Sequence, residues 1–163
     1  MQIAGYIADM GAGEALATLI VSMLPVIELR GAIPMGVGLG LPVWQAAVIA
    51  MVGNMLPVPF IIAFVRTLMD WLRTKSDRAR RFVSWLERKG SGEKALRVQQ
   101  TQFWGLLLFV AVPLPGTGAW TGALIAAMLN MRMKRALPPI LLGVLIAGII
   151  VSLATAGVIR LLV

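Results

Sequence analysis

The chain has 163 residues, of which 59% are hydrophobic and 13% charged, with a mean hydropathy of +0.87. That composition lies outside the range of a water-soluble globular domain and fits an integral membrane protein; with no Cys and no His, disulfides, thiolate or imidazole metal sites and any Cys–His or Ser–His catalytic pair are excluded. The formal charge of +8 is no nucleic-acid face, because nine of fifteen basic residues lie between Arg73 and Arg97 and three more are Arg132, Lys134 and Arg135, with no recognition motif beside them.

Residues 1–13 contain Gly5, Gly11 and Gly13 and read as an interfacial lead-in. No Lys or Arg precedes Arg30, so the basic start of a secretory signal peptide is missing and these residues are expected in the mature protein. From 14 to 41 runs an apolar stretch of 28 residues, interrupted by Pro25-Val26-Ile27-Glu28-Leu29-Arg30-Gly31-Ala32-Ile33-Pro34. A charge at the centre of a bilayer costs roughly 2.5–3.5 kcal/mol on insertion scales, so a Glu and an Arg two residues apart here mark a site or a pathway. Pro25 and Pro34 remove helical hydrogen bonds and Gly31 frees the backbone, so this segment departs from a plain spanning helix. Such backbone is tolerated in a membrane only where protein or a water-filled cavity covers it.

Residues 43–65 form a 23-residue apolar run long enough to span, with Asn54, Pro57 and Pro59 near mid-depth predicting a kink. The connector, residues 67–102, changes character: Trp71, Leu72, Phe82, Val83, Trp85 and Leu86 recur at helical spacing among charges, as in an amphipathic helix at the membrane surface. Gly90-Ser91-Gly92 breaks that pattern. A second 28-residue apolar stretch, 103–130, is broken by Pro113-Leu114-Pro115-Gly116-Thr117-Gly118. Residues 136–163 are a further apolar run, opened by Pro138-Pro139 in what is expected to be a first helical turn, with Arg160 placed to snorkel at its far end.

Basic residues flank the 103–130 stretch on both sides, so by the positive-inside rule both of its ends face the cytoplasm. It is expected to enter the bilayer, turn at the Pro/Gly segment and leave on the same side; two arms of ~15–18 Å would each reach half the hydrocarbon thickness. The 14–41 stretch has the same length and the same central break but no basic flank, and is expected to dip in from outside. Hairpin 14–41 and span 43–65 (first repeat, 1–66) are then mirrored by hairpin 103–130 and span 136–163 (second repeat, 103–163), with the connector cytoplasmic and both termini outside. The predicted fold is an all-α integral membrane domain, 1–163, with two opposed re-entrant hairpins in an inverted-topology repeat, an arrangement frequent among secondary transporters. Four ordinary spans are the alternative.

If the tips meet at mid-depth, Glu28, Arg30 and Gly31 face Gly116, Thr117 and Gly118. Arg30 offers a fixed cation with five donors, suited to phosphate or carboxylate, and the N–H groups where each second arm begins add the positive end of a helix dipole. Glu28 would neutralise Arg30 in the empty site or carry a coupled proton; a structural Glu–Arg pair pinning the hairpin is the other reading. Asn54 either lines the cavity or satisfies broken backbone, and Trp120 and Thr121 would wall the site or pack. Pro57, Pro59, Pro113 and Pro115 shape kinks without chemistry of their own. Gly116-Thr117-Gly118-Ala119-Trp120-Thr121-Gly122 fails as a dinucleotide fingerprint, having one residue too many before its last Gly and no preceding soluble strand. Gly148, Ser152 and Ala156 form a small-residue face for close helix contact, within the protomer or in a homodimer. An enzyme reading has only Ser22, Thr117 and Glu28 at suitable depth, so no enzyme and no cofactor is expected.

Glu28-Leu29-Arg30-Gly31-Ala32-Ile33-Pro34, Gly53-Asn54-Met55-Leu56-Pro57-Val58-Pro59 and Pro113-Leu114-Pro115-Gly116-Thr117-Gly118-Ala119-Trp120, in that order, resemble the small multidrug export protein family of bacterial and archaeal membranes. That family looks like a compact relative of the DedA (SNARE-associated, VTT) superfamily. The likeness implies two opposed re-entrant hairpins, a prokaryotic plasma-membrane location and, for some members, movement of isoprenyl-phosphate or phospholipid carriers. Glu28 and Arg30 would correspond to charged residues of the first hairpin; at the second tip, where DedA proteins usually carry arginines, this chain has Gly116, Thr117 and Gly118. The expected function is transport of a small anionic or phosphate-bearing amphiphile between membrane leaflets. The alternatives are a multidrug exporter, as the family name implies, and a non-transporting structural or assembly factor acting through the connector.

Overall fold

The computed structural model describes residues 11–75, 81, 95–114 and 116–162. Every regular element among them is an α-helix: α1 Ala12–Ser22, α2 Glu28–Gly38, α3 Val43–Met55, α4 Pro57–Lys75, α5 Ala95–Ala111, α6 Ala119–Met128 and α7 Met133–Leu162. The expected lead-in lies outside the described residues up to residue 10. So do Phe82, Val83, Trp85, Leu86 and the Gly90-Ser91-Gly92 break of the connector, and Pro115 of the second tip.

α1 and α2 are each 11 residues long, about 16 Å at 1.5 Å per residue, and fold back on each other through residues 23–27. Thr18 of α1 abuts Gly36 of α2, where a Cβ would sit 2.6 Å from the Thr18 hydroxyl. α5 and α6 make the second helical hairpin, with Gly122 of α6 against Val110 and Leu106 of α5. The first break falls earlier than the sequence suggests. α2 begins at Glu28 and runs through Pro34, so Pro34 costs the Arg30 carbonyl its helical donor without ending the helix.

α3 and α4 follow one another with a break at Leu56. Neither Pro57 nor Pro59 has an N–H, so the carbonyls of Gly53 and Met55 lose their partners four residues on, which is the physical content of the predicted kink. Val43–Trp71 and Met133–Leu161, each 29 residues, are the stretches long and apolar enough to cross a membrane among the described residues. α4 continues to Lys75, so Asp70 and Trp71 belong to this helix rather than opening a separate surface helix. α7 begins at Met133, which moves Pro138 and Pro139 from the first turn into the second and leaves the carbonyls of Lys134 and Arg135 without helical donors.

The core between these helices is built of small residues, with Ala32, Ala46, Ala50, Ala119, Ala123, Ala126 and Ala136 fully buried beside Ile33, Ile62, Ile140 and Val144. Small side chains let backbones approach closely, which is what drives helix association in lipid. α7 packs on α5, α3 and α2, and α4 packs on α6. At Gly148 the small-residue face of α7 is used within the protomer, receiving Met51 of α3. The outer surface is apolar in continuous stripes: Trp44, Val48, Val52, Leu56, Phe60, Phe64 and Leu68 are all exposed at a spacing of four along α3 and α4, as are Leu141, Leu145, Ile149 and Leu153 on α7. Stripes of that length belong against lipid, not water.

The two halves share local geometry at a spacing of 90 residues. Leu39, Gly40, Leu41 and Ala46 N–H groups donate to the carbonyls of Met35, Val37, Gly36 and Pro42; Leu129, Asn130, Met131 and Ala136 donate to Ile125, Ala127, Ala126 and Arg132 in the same pattern. Gly40 and Asn130, at φ 106° and 52°, hold the equivalent left-handed position. Gly53 and Gly143, again 90 apart, are each pressed against the first arm of the preceding hairpin: Gly53 on Ser22 and the Leu19 carbonyl, Gly143 on Val110 and the Leu107 carbonyl.

Candidate functional site at the hairpin tips

The two tips meet, and Glu28, Arg30 and Trp120 are side chains that join them. Glu28 opens α2 with φ 51°, a left-handed conformation uncommon outside glycine, and is 6% exposed. Its carboxylate crosses to the start of α6, where Oε1 accepts the Trp120 backbone N–H at 3.3 Å. Gly118 makes this approach possible, since any Cβ there would collide with the carboxylate. The Trp120 indole reaches back and donates Nε1–H to the Met23 carbonyl at 2.9 Å. Glu28 thus caps, from another hairpin, the positive end of α6.

Arg30 does the complementary work. Its Nη2 donates to the Val112 carbonyl at 3.3 Å, to Thr117 Oγ1 at 3.0 Å and, more closely, to the Thr117 carbonyl. The Val112 carbonyl directly follows the last residue of α5, at the negative end of that helix, while Thr117 stands just before Gly118, where α6 begins. Thr117 Oγ1 lies 2.8 Å from the Val112 carbonyl and 2.9 Å from that of Leu114, and accepts the Leu114 N–H at 3.2 Å, so the turn is braced from within. Gly116 holds φ 81° in the same turn.

Among the described residues no ion pair links Glu28 to Arg30, and helical positions two apart do not face each other. The pair pins one hairpin to the other rather than pinning its own hairpin. The second arm of the first hairpin begins at Glu28, not at Gly31, and the Gly31 N–H is bound to the Ile27 carbonyl at 3.2 Å. At the second tip the dipole end expected after Gly118 is present, but Glu28 occupies it.

Two cavities open around Arg30. One of about 200 Å³ lies between the tips, walled by Glu28, Arg30, Pro113, Gly116, Thr117 and Thr121, with Pro25 at its rim. The other, about 730 Å³, runs between α2 and the second half of α7; Arg30 and Pro113 belong to its wall as well, and the rest of the lining is almost wholly apolar. Arg30 Nε is buried and has no hydrogen-bond partner among the described residues.

Glu28, Arg30, Gly116, Thr117 and Gly118 are therefore brought together, with Pro25 and Pro113 beside them. Asn54 is not among the residues lining either cavity. It is fully buried in α3, one turn from the Pro57 and Pro59 break, and neither amide atom has a partner among the described residues. Sequence reasoning missed the carbonyls of Val112 and Met23, because main-chain acceptors carry no residue signature. The α7 wall was also missed, for lack of any polar residue to mark it. Arg66 too was unassigned; it donates to the Asn130 carbonyl and side chain at 3.1 and 3.2 Å, tying the end of the first span to the base of the second hairpin.

A family model described as "Putative small multi-drug export protein" matches residues 28–150, well over half the chain, and its first residue is Glu28. The chain belongs to this family. No curated protein and no solved structure matches it. An export-protein family is compatible with a membrane transporter, and the apolar stripes make this member a membrane protein.

Proposed function

We propose that this family member is a secondary transporter, not an enzyme, that moves a small anionic or phosphate-bearing amphiphile by alternating access at the paired tips. The observation that carries the reading is Arg30, a fixed cation set at the junction of two hairpins and bordering both a small polar cavity and a large apolar one. The two hairpins would be re-entrant from opposite faces, with the 90-residue repeat inverted across the membrane. Arms of about 15–17 Å in α1, α2 and α6 support this, being half the ~30 Å hydrocarbon thickness, whereas α5, 17 residues and about 26 Å long, begins at Ala95, ahead of the apolar stretch expected from residue 103. Kinship with the DedA superfamily and a prokaryotic plasma-membrane location belong to the same proposal.

Alternating access needs a contact that closes one state and opens in the other. The bonds from Glu28 to α6 and from Arg30 to the α5 terminus are that contact: an arriving anion competes with Thr117 and Val112 for the guanidinium, releasing the second tip. A cationic drug has no counter-charge here apart from Glu28, which α6 already holds. The test is transport of hexadecyl phosphate between leaflets of proteoliposomes by wild type and Arg30→Ala. Wild-type activity and a variant at the rate of empty vesicles are expected; equal rates would refute the role of Arg30.

A further inference from the structure

The large cavity has a shape that the anion site alone does not require. Its floor is Pro34, Val37 and Gly38 of α2; its wall is α7 from Ile150 to Ile159, including Val151, Ala154, Thr155 and Val158. The hydroxyl of Thr155 is already turned onto its own helix, donating to the Val151 carbonyl at 2.8 Å, so the groove offers a chain almost nothing to hydrogen-bond. The charged function lies at one place: the Arg30 guanidinium, whose Nε has no partner among the described residues.

Resting on the transport reading above, we infer that the groove between α2 and α7 is the tail site for a single-chain anionic amphiphile drawn from the bilayer, whose headgroup meets Arg30. Charge complementarity fixes the orientation: head towards the tips, chain along α7 towards Ile159. Continuity fixes the pairing of the two cavities, since Arg30 and Pro113 belong to the walls of both. At about 730 Å³ the groove is within the ~300–1,000 Å³ usual for ligand sites and suits one chain rather than a double-chain lipid. Lipid tails are as apolar as the groove, so the chain itself adds little driving force. Selectivity must then come from the head, and occupancy must be competed by anionic and not by neutral amphiphiles of equal length.

The probe is a hexadecyl phosphate bearing a photoactivatable diazirine at mid-chain, in proteoliposomes of the full chain in phosphatidylcholine, with labelled residues mapped by mass spectrometry. Labelling centred on Val151, Ala154, Val158 or Val37, reduced at least fivefold by excess plain hexadecyl phosphate but not by hexadecanol, is the expected result. Labelling spread over the outer stripe at Leu141, Leu145, Ile149 and Leu153, or equal competition by hexadecanol, identifies ordinary boundary lipid and overturns the inference. Ala154→Trp fills the groove without touching the tips and should cut specific labelling severalfold; undiminished labelling also overturns it. Focused, competed labelling without transport would leave the tail site standing and refute the transport reading. Transport with unfocused labelling would do the reverse.

Discussion

Gly118→Ala tests the junction of the hairpins with a single methyl group. Gly118 has φ 168°, extended backbone that alanine adopts freely, so the substitution adds no conformational strain and its effect isolates the collision with Glu28. The carboxylate must leave the start of α6, losing the Trp120 N–H while remaining buried. A hydrogen bond to a charged group contributes about 1.5–3 kcal/mol, and the charge at a helix terminus a further ~0.3–1 kcal/mol. The expected loss is therefore about 2–4 kcal/mol, a fall of roughly 4–16 °C in melting temperature for a chain of this size. Thermal unfolding in maltoside micelles, followed by the monodisperse fraction on size exclusion, reads this directly. In a Glu28→Ala background the same methyl group has nothing to displace, and Gly118→Ala should cost less than about 0.5 kcal/mol, giving a coupling of about 2 kcal/mol or more in a double-mutant cycle. Equal destabilisation in both backgrounds would refute the trans cap.

Asn54 is buried with both amide atoms unpartnered among the described residues, and Val144 holds the position 90 residues later, so Asn54→Leu should stabilise the fold by about 1–3 kcal/mol in the same melting assay. Destabilisation would mean that the amide has a partner the apolar replacement cannot serve. Topology can be read from single cysteines at Pro42, Arg81 and Arg132, all exposed, whereas Leu41 and Met131 at the same loops are buried. An impermeant maleimide should label position 42 from outside and positions 81 and 132 from the cytoplasm; opposite sides for 81 and 132 would make the second hairpin a span and remove the inverted repeat.

Much of the helical layout is legible in the sequence because hydrophobic run length and Pro/Gly punctuation are local signals. The two breaks, the kink at Pro57 and Pro59 and the meeting of Glu28 and Arg30 with the second tip all follow from them. Boundaries were less legible. Pro34 reads as a stop but is carried inside α2, since Ala32 and Ile33 on its buried side hold the helix against the core; Pro138 and Pro139 are carried inside α7 between buried Ala136 and Ile140. The partners of the two charges were half legible. Opposite charges close in sequence suggest an ion pair, yet each side chain takes main-chain atoms of the other hairpin instead. Trp120 stands beside the second tip in the sequence, but its role is given by a backbone N–H that every residue type possesses.

The reciprocal capping of the tips has a consequence for how the chain is made. Glu28 and Arg30 leave the ribosome about ninety residues ahead of Thr117 and Trp120, and at ~5–20 residues per second the delay is roughly 5–20 s. Throughout that interval an acid and a base destined for the interior have no mates. The leading hairpin is therefore expected to wait at the water-facing edge of the insertion machinery and to sink into place only when its counterpart arrives. Assembly of the two halves is then expected to be the committing step of biogenesis, and a chain truncated within the connector is expected to leave the first half without the contacts that Glu28 and Arg30 make.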